Sequence, residues 1–148
     1  MSEAGAEARP HRSGRRKARK YALDVLFAAD LRGCHPDAAL AEQSQVQDLP
    51  PYTAVLVEGV VDQIDIIDRL LAAHLDAGWS LERLARVDRN LARIAVWEFI
   101  WGAIPANVAI AEAVGLAGEL STDRSSSFLS GLLGAVAADG TAPDAPPA

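Results

Sequence analysis

The sequence has little of what would staple, span or catalyse. Its single cysteine, Cys34, has no partner within the chain for a disulfide, and no group of Cys and His has the number or spacing of a zinc site. Aromatic residues make up 5% of the chain, and β-branched residues are far outnumbered by alanine and leucine, which argues against a β-rich fold. Long hydrophobic runs are missing too. The uncharged stretch Phe99 to Ala111 is shorter than a bilayer requires and is broken by Gly102 and Pro105. Residues 15 to 31 place basic residues before apolar ones as a secretory signal does. Asp24 and Asp30 interrupt the apolar part, however, and no small-residue cleavage site follows, so the segment reads as mature helix. These absences point to a chain with no membrane segment, in the reducing cytoplasm.

What is present favours one all-α domain. At 148 residues the chain can bury one real core and is short for two. Met1 to Ser13 lacks periodicity and reads as a disordered basic arm, and Asp139 to Ala148 reads as a loose Pro/Ala tail, leaving residues 14 to 138 as the helical domain. The spacing predicts a first helix from Gly14 to Leu31 ending at Gly33. It carries two apolar faces, Ala18, Ala22, Val25, Leu26 and Ala29 on one and Leu23, Phe27 and Leu31 on the other. A short helix follows from Pro36 to Gln43, then a long one from Tyr52 to Ala77 stopped by Gly78. Ser80 is expected to cap a short turn into a fourth helix, Arg86 to Trp101.

Within that fourth helix Glu98 falls among Val87, Leu91, Ile94 and Trp101, a costly place for an unpaired carboxylate, and it is expected to accept hydrogen bonds from a helix start or an arginine. Pro105 opens a fifth helix to Leu120 whose inward residues should be Ile110, Ala113, Val114, Ala117 and Leu120. Asp123 is the expected cap of a last helix, Arg124 to Ala138. The result is a bundle of about six to seven helices.

Charge is distributed unevenly. Residues 1 to 20 hold seven of the fourteen Lys and Arg but two of the twenty Asp and Glu, a local net charge of +5 against −11 for the rest. Arg12, Arg15, Arg16, Lys17, Arg19 and Lys20 therefore form the expected phosphate-binding segment, with an affinity that comes from counterion release and falls with salt. A solvated surface or a localisation tag would look the same in isolation. Arg86, Arg89 and Arg93 make a second stripe, read as surface pairing with acids such as Glu82. His11, His35 and His74 fall in an arm, a loop and a helix end, places that favour surface or packing roles over general-base chemistry. No catalytic set, phosphate loop, metal site or cofactor motif is visible, and the chain reads as a non-enzyme.

Three ordered segments, RRKARKYALDVLFAADLRG (Arg15 to Gly33), VDRNLARIAVWEFIWGAIPANVAIAEAV (Val87 to Val114) and ELSTDRSSSFLSGLLGAV (Glu119 to Val136), with the looser YTAVLVEGV, resemble the NusB-type bacterial transcription antitermination factors. The resemblance covers nearly everything but the two tails. It implies two three-helix halves with the first helix between them. It also implies binding of boxA-type single-stranded RNA from ribosomal RNA leader transcripts together with the ribosomal protein NusE, within an RNA polymerase elongation complex that holds other Nus factors. Arg15, Arg16, Lys17 and Arg19 match the arginine-rich RNA-binding start of the family. Phe27 and Asp88 match positions that face NusE. Phe128 lies in the last-helix motif bordering the RNA, and Arg124 is counted with it although the family usually has an acidic residue there. Ala111 and Ser130 replace two asparagines of the family pattern, with the loss of their amide hydrogen bonds. Two other readings compete: the N-terminal RNA-recognition domain of some RNA cytosine methyltransferases, and a helical protein-interaction module without an RNA role. The apolar side of the first helix also suggests pairing with a second copy as a homodimer.

Overall fold

The structure is a computed structural model describing residues 11–140, with side chains from residue 15 onward. Seven α-helices are found among the described residues, and no strand: α1 (His11–Arg32), α2 (Pro36–Val46), α3 (Pro51–Asp62), α4 (Ile64–Ala73), α5 (Arg86–Ile100), α6 (Ala106–Leu120) and α7 (Asp123–Asp139). A single 3₁₀ turn, Leu81–Arg83, precedes α5. The described residues divide into two compact units, one up to Glu58 and one from Gly59 onward.

In the first unit α1 packs on α2. The helix begins at His11, three residues before the expected Gly14, so that part of the expected arm is helical. Residues 1–10 lie outside the described residues. Ala18, Ala22, Val25, Leu26 and Ala29 are buried as their spacing requires. Of the second apolar face Leu23 is buried, Phe27 is half-buried and Leu31 is 58% exposed. Gly33 stops α1 with φ of +69°, and the Cys34 N–H donates to the Ala29 carbonyl at 3.0 Å, closing the helix end. Pro36 starts α2 behind His35, whose Nδ1 accepts from the Asp37 N–H at 3.1 Å. The helix runs one turn past Gln43, to Val46.

The long helix expected from Tyr52 to Ala77 is two helices. At Gln63 the backbone leaves helical geometry, with φ −114° and ψ 19°. The Gln63 N–H is shared between the Gly59 and Val60 carbonyls, at 3.2 Å each, and its own carbonyl accepts from Ile67 N–H at 2.9 Å. The ladder thus bends without losing these partners. Helix α4 then ends at Ala73, and Gly78, at φ +89°, serves the following turn instead of stopping the helix.

In the second unit α5 packs on α4, α6 and α7, and α6 packs on α7. Helix α5 buries Leu91, Ala92, Ile94, Ala95 and Val96, and α7 buries Leu129, Leu132, Leu133 and Val136. Helix α6 buries Ala109, Ala113, Leu116 and Ala117. Ala113 and Ala117 are inward as expected, whereas Ile110 and Val114 are half-buried and Leu120 is 43% exposed, with Ala109 and Leu116 buried instead. The difference follows from size, because alanines spaced four apart form a shallow ridge that lets neighbouring helices approach closely. Gly59 and Gly102 have a related use. A Cβ on Gly59 would overlap the Trp97 indole, and one on Gly102 would stand 2.8 Å from the same ring and 3.0 Å from the Glu98 backbone. Glu98 itself is fully buried, on the face expected of it, and carries a polar interaction.

Candidate nucleic-acid interface

The basic start of α1 is displayed unevenly. At about 100° per residue its cations point around most of the helix, so only some of them can face a ligand. Lys17 and Lys20 are exposed, and Arg15 and Arg16 are half-buried. The Arg15 guanidinium lies 4.5 Å from the centroid of the Tyr52 ring, a cation–π contact that orients it on the unit surface. Arg19 is only 4% exposed and stands with the buried Ala18 and Ala22, so it belongs to the packed side of the helix. The Arg12 side chain lies outside the described residues. Phe27, half-buried, follows two turns after Lys20 on the same face. On that stretch burial pushes the Asp24 carboxyl up from its ordinary value, and the neighbouring Lys20 opposes the change.

A second feature lies wholly in the other unit, where the starts of α5 and α7 meet the turn after α4. A cavity of about 410 Å3 opens there, lined by Leu75, Trp79, Arg83, Asp88, Arg124 and Phe128 among others. Asp88 is 8% exposed. Its Oδ2 accepts from the Ser125 hydroxyl at 2.8 Å, and Ser125 Oγ lies 3.0 Å from Ser121 Oγ and 3.1 Å from Thr122 Oγ1. Thr122, one residue before the expected Asp123, caps α7 by accepting the Ser125 N–H at 3.1 Å. The hydroxyl chain thereby ties the α7 start to the first turn of α5. Asp88 Oδ1 is buried and has no hydrogen-bond partner. Trp79 is 56% and Phe128 38% exposed, and Arg124 and Arg83 are exposed.

The sequence motifs therefore sort differently in space than along the chain. Asp88, matched to a protein-facing position, lines the same cavity as Arg124 and Phe128, matched to the RNA side. Sequence reasoning missed Trp79, Arg83 and Ser125. An exposed tryptophan directly after a glycine turn was the one available signal for the first. Of the Arg86, Arg89 and Arg93 stripe, Arg86 is exposed, and the other two are tied to neighbouring groups. Arg93 makes a fork to Asp68 (Nε–Oδ1 2.8 Å, Nη2–Oδ2 2.9 Å) and donates to Asn90 Oδ1 at 3.0 Å. Arg89 donates to the Leu81 and Glu82 carbonyl oxygens, at 3.3 and 3.4 Å. Ser80 sits at the cap position of the 3₁₀ turn without a side-chain cap hydrogen bond. His74 packs between the Leu70 carbonyl (Nδ1, 2.9 Å) and Asp139 (Nε2–Oδ2, 2.9 Å), linking the ends of α4 and α7. Ala111 and Ser130 are exposed. Among the described residues no group of three or more His, Cys, Asp or Glu could hold a metal ion, and no helix is long and apolar enough to cross a membrane.

Among the described residues, an all-helical fold with a cation-rich helix start and an aromatic-lined cavity fits a class, helical binding factors, without choosing among them. The comparisons choose. Residues 16–138 match the NusB family, and the chain belongs to it. The transcription antitermination protein NusB of Salinispora tropica is 51% identical over 129 residues, covering 83% of this chain and 94% of that protein. T. maritima NusB superposes with a TM-score of 0.76 at 29% identity, over 84% of this chain and 91% of that one. A crystal structure of antitermination factors NusB and NusE in complex with dsRNA superposes with a TM-score of 0.75 at 28% identity, covering 86% and 98%.

Proposed function

We propose that this protein is a transcription antitermination factor that binds boxA-type RNA of ribosomal RNA leaders together with NusE, and that it helps RNA polymerase, in company with other Nus factors, to resist termination. The observation that carries the reading is the match over 94% of the length of a transcription antitermination protein at 51% identity. A related fold occurs in a complex of NusB, NusE and dsRNA. In this reading Arg15, Arg16, Lys17 and Lys20 supply phosphate contacts. Arg19 acts from within the packed face, by holding the helix. Phe27 meets the protein partner, and Arg124 and Phe128 border the RNA.

The protein's role is that of a binding factor: its task is to hold RNA and a partner protein, not to turn over a substrate. The methyltransferase-domain reading has less support, since the relative matched is spanned almost completely by this chain. The deciding experiment titrates a boxA-like single strand, a scrambled single strand and a duplex of equal length at several salt concentrations, with and without NusE. Binding that weakens with salt, prefers boxA and strengthens with NusE is the expected result. Undetectable binding to all three RNAs in both conditions would remove the reading.

A further inference from the structure

We propose that Tyr52 is a positioning residue for RNA: it holds the Arg15 guanidinium by one face, so that the N–H groups at its edge are left for a backbone phosphate. The inference rests on the RNA-binding reading above and deepens it by giving a role to a residue outside the basic segment. The Arg15 guanidinium carbon lies over the Tyr52 ring, 4.5 Å from its centroid. A guanidinium is planar, and its donors lie in that plane. A ring that takes the face therefore leaves the donor fork open, and parallel N–H groups match the oxygens of a phosphate.

The charge of Arg15 survives this contact. Arg32 and Arg93 are held by the carboxylates of Glu42 and Asp68, which cancel their charge locally, whereas the Tyr52 ring is neutral and orients its cation without neutralising it. Lys17 and Lys20, exposed on the same helix, offer point charges on flexible stems. Ordering such a stem on binding costs conformational entropy, and an arginine already placed loses less of it.

The ring is itself fixed by the packing beneath it. Pro51 opens α3, and the Thr53 N–H donates to the Pro50 carbonyl at 2.9 Å. Thr53 is fully buried, and its hydroxyl donates to the Ala18 carbonyl of α1 at 3.3 Å. Ala18 stands about one turn after Arg15, so this bond sets the start of α3 against the part of α1 that carries the cation. Stacking on a base is the competing use of Tyr52. The Arg15 contact takes one face of the ring and both residues are half-buried, which leaves a base less of the ring than an open aromatic would.

The test measures binding of the boxA-like and the scrambled single strand to the full chain and to Tyr52→Leu, Tyr52→Phe, Arg15→Ala, and Tyr52→Leu combined with Arg15→Ala. Thermal melting checks that each variant folds. Tyr52→Leu should weaken binding of both strands roughly two- to fivefold. Tyr52→Phe, which keeps the ring, should bind like the unsubstituted protein, and in the Arg15→Ala background Tyr52→Leu should have no further effect. Equal weakening by Tyr52→Leu in both backgrounds would show the ring acting without Arg15 and would overturn the proposal. So would unchanged binding by Tyr52→Leu, or a Tyr52→Phe as weak as Tyr52→Leu, which would place the effect in the hydroxyl. A second measurement needs no variant. The Arg15 side-chain NMR resonances, moved upfield by the ring current of Tyr52, should keep that displacement when RNA is added, while the guanidinium N–H signals change. Loss of the upfield displacement in the complex would mean that Arg15 leaves the ring, and the proposal fails. If RNA binds in a salt-dependent way without this coupling, the proposal is wrong and the RNA-binding reading stands. If no RNA binds the unsubstituted protein with or without NusE, that reading fails and the proposal with it.

Discussion

At the scale of single residues, the chain contains both strain and compensation. Ala103, in the turn between α5 and α6, is the one non-glycine residue with positive φ, +59°, among those described. The left-handed conformation costs an L-residue with a Cβ about 1–2 kcal/mol, and glycine escapes that cost at some expense of unfolded-state entropy. Ala103→Gly is therefore expected to leave stability unchanged or raise it by up to about 1 kcal/mol, which denaturant unfolding would reveal; a loss above that size would contradict the strain. The exposed pair Arg32–Glu42, 2.8 Å apart, gives a pH effect of definite sign. The hydrogen bond from Arg32, and then its charge, hold the Glu42 carboxyl below its ordinary 4.5. A depressed folded value means that the pair's contribution is present above that ordinary value and is lost as pH falls through the lowered one. Thermal melts of Glu42→Gln and the unsubstituted protein should differ slightly at neutral pH and converge in acid.

At the scale of elements, most of the helices follow from local rules, and the exceptions have identifiable tertiary causes. Helix α5 matches its expected bounds to within one residue because a strong 3.6-residue pattern and Pro105 delimit it. The expected helix across residues 52–77 failed at Gln63, since apolar periodicity continues through a bend as readily as through a straight helix. In α6 the expected Ala113 and Ala117 are buried, but Ala109 and Leu116 complete the row while Leu120 is exposed, because close approach of the neighbouring helices favours a row made mostly of alanine. Gly59 shows the same physics from the other side, with the Trp97 indole lying where its Cβ would be. Gly59→Ala removes a flexible residue from a helix, which alone would stabilise, yet it forces the indole or the helix to move. A net destabilisation of about 1–3 kcal/mol is expected, measurable by chemical denaturation, and an unchanged midpoint would show that Trp97 rearranges freely.

At the scale of the whole molecule, the net charge of −6 conceals the separation that matters, a cationic helix start on an acidic body. If phosphate contacts from α1 supply affinity, the combined change Arg15→Ala, Lys17→Ala and Lys20→Ala should weaken boxA-like and scrambled RNA alike. The slope of log affinity against log salt should flatten by about 0.7 per lost contact on a single strand. Filter binding at four salt concentrations would read both effects, and a slope identical to that of the unsubstituted protein would place the contacts elsewhere. Arg15 serves as more than a point charge, because its contact with Tyr52 in α3 links the basic start to the packing of the first unit.

The sequence by itself determined the helical class, the helix ends marked by Gly33 and Pro105, the position of Glu98 on a buried face, and the concentration of charge on α1. Each of these depends on neighbours within about one helical turn or on composition, quantities that a chain carries without folding. Only the tertiary structure decided that Arg19 turns inward while Lys17 and Lys20 face solvent. It also decided that Arg93 is held by Asp68, 25 residues away, and that Asp88 meets Ser125, 37 residues away, in a cavity walled by Trp79 and Phe128. Those pairings depend on how α4, α5 and α7 pack against one another, and the spacing of residues along one helix carries no information about the side chains that another helix brings to it.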